Sequence, residues 1–401
     1  MDLDQLKIKS IAFIRKRFYP LVFLTIAVIL WFIQYLVQIR YGDKIPASVT
    51  WMRLISYFLL FLSPYVFLLK EKRYLFANLI VIGPIFILIE ATCFYLLDSP
   101  EKIKKEFALP SYPEGHPALD LGNVADPDTV IYEKKMQGDV VCFDVSYSFD
   151  SLRRRKTPKF DSTRSKYALF FGCSIAFGYG LNDNETLPFH FQEKSQMNAY
   201  NYAYNGWGTN QMLAWLQREN LSKQVKEKDG AAFYIFFWDH IPRALGTMDR
   251  YTQWVAYAPY FYMDGNQIKR DRTFKDGRYW TSKFYELFYQ TSIAEYFKIN
   301  FPNKLREDHY NLISEMILES KKTYEKQFGN SNFYVVIYPT FKDYEEEQMK
   351  LFIEFLKEKG INIIDLSNFI EYGAQYHLIG DSHPRGSTNE MIAEEILKQM
   401  N

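Results

Sequence analysis

The chain has 401 residues, a formal net charge of +1 and 18% aromatic residues. A near-neutral, apolar-rich composition excludes a nucleic-acid binder that works by charge and excludes a disordered tail. The apolar content is concentrated first in three runs before residue 100, at about 19–38, 51–69 and 74–97. Each is close to the roughly 20 residues that cross a bilayer core, and each is flanked by Lys, Arg, Trp or Tyr, as membrane interfaces favour. The expectation is a membrane anchor over residues 1–98 with three transmembrane helices. The second run carries Arg53 near its start and Ser63-Pro64 near its middle, so a buried or re-entrant helix is its alternative. The first run is too long and too poor in small residues to be a removable signal peptide. Basic residues crowd the amino terminus (Lys7, Lys9, Arg15, Lys16, Arg17) and the second connection (Lys70, Lys72, Arg73), whereas the first connection has mainly Arg40 and Lys44. The positive-inside rule then puts the amino terminus in the cytoplasm and everything after about residue 98 outside.

Residues 99–165 read as a polar connector with a strand lead-in, "VVCFDVSYSF", ahead of the basic "RRRKTPK". From 166 to 401, short apolar runs appear at "YALFFG", "NAYNYA", "AAFYIFF", "NFYVVIY" and "INIIDL". They are too short for helices and apolar nearly throughout, as strands covered on both faces are. Amphipathic segments alternate with them, the last opening on a Ser387-x-x-Glu390 capping box. Strand alternating with helix predicts an α/β domain of three layers, α/β/α, around a five-stranded parallel sheet. Residues 240–308 interrupt the rhythm as an insertion with a hairpin tip at Asp264-Gly265, expected to cover the ligand crevice. Its aromatics, Trp254, Tyr257, Tyr260, Phe261, Tyr262 and Trp280, either pack the insertion or stack on sugar rings. Cys142 and Cys173 fall on the oxidising side, where a disulfide is permitted but two residues do not establish one. Small buried thiols are the expectation.

In such a sheet, ligands bind beyond the carboxyl ends of the strands. Ser174 follows the first strand in "FFGCSIAFGYG", placed either as a nucleophile or as one more small residue in a turn. A serine needs a base, and the base an orienting acceptor. His383 in "DSHPRGS" lies after the last strand and before the last helix, with Asp381 two residues earlier. Alternate residues of an extended loop share a face; otherwise Asp381 caps a turn and His383-Pro384 breaks the chain. No His-Glu-x-x-His, paired Cys-x-x-Cys or phosphate-cradling loop is present.

Taken together, "GCSIAFGYGLNDNETLP", "NYAYNGWGTNQM" and "DSHPRGSTNEMIAEEIL" resemble the SGNH, or GDSL-type, hydrolase superfamily, over about residues 140–401. The resemblance implies a flavodoxin-like fold and an ester-cleaving or acyl-transferring serine enzyme without a cofactor. Ser174 would be the nucleophile, His383 the base and Asp381 its orienting partner. The backbone N–H groups of Ser174 and Gly206 would donate to the oxyanion, with Asn205, Trp207 and Arg243 about the substrate. The chain departs from the family pattern at Cys173, which stands where the family has Asp. It departs again after the strand "FYIFFW", where Asp239 or His240 stands for the oxyanion Asn; an ionised Asp would repel an oxyanion, so His240 is the better donor. The Asp-to-His spacing is also one residue shorter than the commonest form.

The leading expectation is a membrane-anchored esterase that acts outside the cytoplasmic membrane on an O-acetylated envelope polysaccharide or a lipid acyl ester. An O-acyltransferase modifying a surface glycan, which would need a separate membrane acyl-donor partner, is the second reading. A non-catalytic glycan-binding or scaffolding protein is the third. No nucleic-acid partner is expected.

Overall fold

In the computed structural model, residues 124–339, 346–371 and 373–400 are described, with 121, 122 and eight positions between 86 and 97. The expected spans at 19–38, 51–69 and 74–97 lie outside the described residues, save for those few positions in the third. Among the described residues no helix is long and apolar enough to cross a membrane. The chain divides into two compact units, Met1–Glu106 with Gln290–Ile299, and Phe107–Tyr289 with Asn300–Asn401. Within the first, the Glu90 carboxylate accepts the N–H groups of Ser292 and Ile293 at 2.6 and 3.0 Å. It thereby satisfies two of the orphan donors at the start of a short helix, Ser292–Tyr296.

The second unit is built on five strands, β3 (Lys166–Phe171), β4 (Met197–Asn201), β5 (Asp229–Phe236), β8 (Phe333–Ile337) and β9 (Asn362–Asp365). All pairs are parallel, in the order β4-β3-β5-β8-β9. These are the five runs read from the sequence, and the reason is burial: β3 is buried at every position after Lys166, as a central strand covered on both faces must be. Stacked rings run across the sheet from Phe170 to Phe233 (5.2 Å) and on to Tyr334 (5.6 Å). Each such pair adds roughly 0.5–1.5 kcal/mol beyond the area it buries.

Helices cover the sheet. After β3 come the one-turn α1 (Ser174–Phe177) and α2 (Leu187–Lys194), whose cap Thr186 accepts the Phe189 N–H. α3 (Thr209–Arg218) follows β4. The insertion after β5 holds α4 (His240–Leu245), α5 (Met248–Gln253), the hairpin β6 (Pro259–Asp264) and β7 (Gln267–Thr273), α6 (Phe274–Gly277) and α7 (Tyr279–Phe288). Its tip is at Gly265, which takes φ +60°. The insertion has a small core of its own around Met248, Tyr251 and Phe274. α8 (Glu307–Phe328), α9 (Glu346–Glu358) and α10 (Gly386–Met400) complete the domain, α2 packing on α10 and α3 on α8. The capping box expected at Ser387 is displaced. Ser387 lies inside the first turn of α10, and Glu390 instead reaches Lys194 of α2 at 2.8 Å.

The lead-in is more than one strand. β1 (Val130–Gln137) and β2 (Val140–Ser148) form an antiparallel hairpin turning at Gly138, φ +60°. The inner residues of β2, Phe143, Val145 and Tyr147, join the main core. Behind the hairpin, Arg155 is buried with its side chain closed to solvent. Its Nε bonds the Asp183 carboxylate at 3.0 Å, Nη1 bonds the carbonyls of Phe177 and Gly178, and Nη2 bonds that of Leu181. One guanidinium thus holds the whole turn that follows Ser174. Arg155→Ala leaves the Asp183 carboxylate without its cation and takes one hydrogen bond from each of three carbonyls, and should lower the unfolding free energy by about 3–5 kcal/mol in urea titration. Replacement of the exposed Lys156 next to it should change that value by less than about 0.5 kcal/mol.

Candidate active site

The site forms at the carboxyl end of β3, where the strand order switches direction between β3 and β5. β3 stops at Phe171, and Gly172 turns the chain with φ +150°. A Cβ at Gly172 would stand 3.0 Å from both Ala176 Cβ and the Ile235 carbonyl, so the turn has no room for a side chain. Ser174 then opens α1, which ends one turn later at Gly178, φ +86°.

The hydroxyl of Ser174 donates to His383 Nε2 at 2.8 Å. On the far side of the ring, Nδ1 donates to Asp381 Oδ1 at 2.5 Å, and the His383 backbone N–H reaches the same oxygen at 2.8 Å. A carboxylate only accepts, so Nδ1 carries the proton and Nε2 is left as the acceptor facing the serine. The three residues brought together are those singled out in the sequence. Asp381 is a buried acid, its side chain 5% exposed. Burial alone would raise its pKa, but the bonds and charge from His383 and Lys135 outweigh it and hold the carboxyl well below the usual range.

Lys135 was not expected here. It comes from β1 and donates to Asp381 Oδ2 at 2.5 Å, so each carboxylate oxygen has its own partner. Two residues earlier on the same face, Glu133 accepts the Tyr179 hydroxyl at 2.7 Å. The Tyr179 ring in turn lies 4.7 Å from the His383 ring. Burial first, and then Glu133, push the Tyr179 phenol upward, so it stays a neutral donor. The signal for this wall was the alternation in "VIYEKKMQGD": Ile131, Glu133 and Lys135 occupy every second position before a Gly-Asp turn.

Ser174 and His383 open onto a cavity of about 430 Å³, with Asn205, Gly206, Arg243 and Trp254 on its wall. Gly206 takes φ +71°, and a Cβ there would come within 3.3 Å of the Trp254 ring. Asn205 has a buried Oδ1 with no hydrogen-bond partner among the described residues. The Arg243 guanidinium bonds Asp239 through Nε at 2.6 Å and the Trp207 carbonyl through Nη1 at 3.0 Å.

Three expected site residues are placed elsewhere. His240 is buried behind the wall, its ring stacked on Tyr234 and its Nδ1 2.8 Å from the Tyr234 hydroxyl. Burial, and then Arg243, depress its pKa well below the ordinary value, so it is neutral and does not front the cavity. Asp239 accepts from Arg243 and, at 2.8 Å, from Arg250. It anchors guanidinium groups and faces no oxyanion. The reason is helical geometry: α4 begins at His240, and one turn on it is Arg243 that returns to the crevice. Trp207 is a core residue packed on Tyr204 and Trp215, and contributes its carbonyl rather than its ring. Cys142 and Cys173 are free thiols, and burial raises the pKa of Cys173, which keeps it an unreactive thiol. Of the insertion aromatics, Trp254 reaches the cavity, Phe261 is buried, and Trp280 is 83% exposed. Among the described residues no group of acidic, His or Cys side chains is arranged to hold a metal.

No family model matches the chain, and no curated protein matches it. Among solved structures, it is similar to a lipolytic protein of the G-D-S-L family from Desulfitobacterium hafniense DCB-2. That match has 12% identity, a TM-score of 0.31, and covers 58% of this chain and 98% of the other. It is also similar to an acetyl xylan esterase, Est2A, from the rumen bacterium Butyrivibrio proteoclasticus. There the identity is 10%, the TM-score 0.36, and the coverage 60% of this chain and 65% of the other. Likeness at that level decides nothing about chemistry, which rests on the geometry above.

The placement of Asp239 has a consequence for stability. Burial opposes its ionisation, but Arg243 and Arg250 outweigh it and lower its pKa. A depressed carboxyl stabilises the fold above its unfolded value of about 3.9, and that contribution is lost as pH falls through the folded value. Asp239→Asn should therefore cost about 3 kcal/mol at every pH from 5 to 9. In urea titrations at successive pH values, its difference from wild type should shrink below about pH 4.

Proposed function

We propose that the protein is a serine hydrolase of esters, held at a membrane by residues 1–98 and acting outside the cytoplasm on acyl groups carried by an envelope glycan or lipid. The observation that supports the chemistry is the unbroken line from Ser174 through His383 to Asp381. In this reading His383 Nε2 takes the Ser174 proton as Oγ attacks the ester carbonyl. Asp381 keeps the ring in the required tautomer and stabilises the imidazolium that forms. The backbone N–H groups of Ser174 and Gly206 receive the developing oxyanion, each worth about 3 kcal/mol. Arg243, on the cavity wall, supplies positive charge where the family pattern has a neutral Asn. Collapse of the tetrahedral intermediate expels the alcohol, which leaves with the proton from His383. Water then attacks the acyl carbon as the same nitrogen takes its proton; the Oγ–acyl bond breaks, Ser174 Oγ takes that proton back from His383, and the acid is released.

The membrane part of the reading is supported by the three apolar runs and the distribution of Lys and Arg around them. The catalytic part is tested by a fluorophosphonate probe on the purified full-length protein, followed by turnover of p-nitrophenyl esters. Wild type should label at Ser174, and Ser174→Ala and His383→Ala should not. Asp381→Asn should keep its fold and lose about 10³–10⁴-fold in kcat. A folded wild type that stays unlabelled, while a control esterase reacts, would move the protein to the non-catalytic class.

A further inference from the structure

A second concavity, of about 540 Å³, lies behind the catalytic cavity. The two share a wall one residue thick: Phe149 lines the catalytic cavity, while Ser148 and Asp150 on either side of it line the other. Alternation along an extended chain accounts for the division. The basic "RRRKTPK" segment, which the catalytic reading leaves unused, forms the floor and rim of this second groove.

The charges of the groove are unequally matched. Arg155 is answered by Asp183, Arg154 by Asp150 at 2.7 Å, and Lys159 by Glu193 at 2.5 Å. Lys156 and Lys226 line the groove without an acidic partner among the described residues. Arg154 is buried, its Nε and Nη1 fixed by Asp150, the Tyr202 hydroxyl and the Gln224 carbonyl, whereas its Nη2 donates to no described group. A guanidinium held in place with one edge unspent is a preorganised donor for a planar anion. In the same groove the Thr157 hydroxyl is buried with no partner among the described residues. Apolar surface is present as well: the Phe160 ring, 44% exposed, meets Tyr200 edge-on at 6.3 Å, and Lys226 Nζ lies 5.5 Å over it.

We propose that this groove binds an acidic saccharide, its anion held by Arg154, Lys156 and Lys226 and a sugar ring laid against Phe160. Concavity separates this ligand from a bilayer, whose flat surface does not enter a pocket walled by Asp150 and Asp183. An aromatic ring beside unpaired cations suits a sugar that carries charge, since it meets both the C–H face and the anion. The assignment deepens the ester-hydrolase reading, on which it rests only in making the bound saccharide part of the polymer presented to Ser174.

Calorimetry on the full-length protein tests it without turnover. The probes are an oligogalacturonate, a phosphorylated maltooligosaccharide and an unmodified maltooligosaccharide of the same length. At least one acidic probe should bind ten times or more tighter than the neutral one, and the tighter of the two names the anion. Lys156→Ala/Lys226→Ala should weaken that binding at least tenfold, and Lys156→Arg/Lys226→Arg should restore it. Equal affinity for acidic and neutral probes, no binding of any, or unchanged affinity in the alanine variant would overturn the proposal. Fluorophosphonate labelling of the same preparations reports separately on the ester reading, so either idea can fail alone.

Discussion

The carboxylate of Asp381 is the point through which the site is held. One oxygen orders His383, the other takes Lys135, and burial makes both bonds matter more than they would in water. That single group joins the loop before the last helix to the hairpin that precedes the domain, across 246 residues of sequence. Ser174 is fixed independently, by the Gly172 turn on one side and by Arg155 holding the carbonyls after α1 on the other. Ser174 and His383 are thus positioned by separate structures that meet at one hydrogen bond. Any movement of the hairpin is felt first by His383.

This arrangement changes the standing of the lead-in. Residues 130–148 are part of the cavity at Ser174, supplying Ile131, Glu133, Lys135 and Tyr147 to its wall. Glu133 and Lys135 carry opposite charge on one strand face, and each reaches a different partner beside His383. The hairpin therefore adds no net charge to the site. It adds orientation, with Tyr179 and Asp381 each tied to a backbone that the domain core itself holds through Phe143 and Val145.

The sheet was legible because its signal is burial on both faces, which acts on each short run alone. Ser174, His383 and Asp381 were legible because the ends of parallel strands confine chemistry to a few loops. Lys135 was hidden, since a half-exposed lysine in a polar connector looks like any other until the hairpin folds back. The choice among Asp239, His240 and Arg243 also lay beyond the sequence. It turns on where a helix begins after β5, and a shift of one residue rotates the facing side chain by about 100°. Asp239 and His240 precede that rotation and pack inward, whereas Arg243 completes it.

Cys173 and Arg243 make sense as a pair. At position 173 a buried thiol lies next to the Arg243 guanidinium. A carboxylate at 173 would pair with Arg243 at close range and neutralise it. The thiol, kept protonated by burial, does not. Arg243 is left with Asp239, and Asp239 is shared with Arg250. The guanidinium on the cavity wall thus retains more of its field toward Ser174 than a dedicated ion pair would allow. Cys173 and Arg243 together leave an electropositive wall beside Ser174.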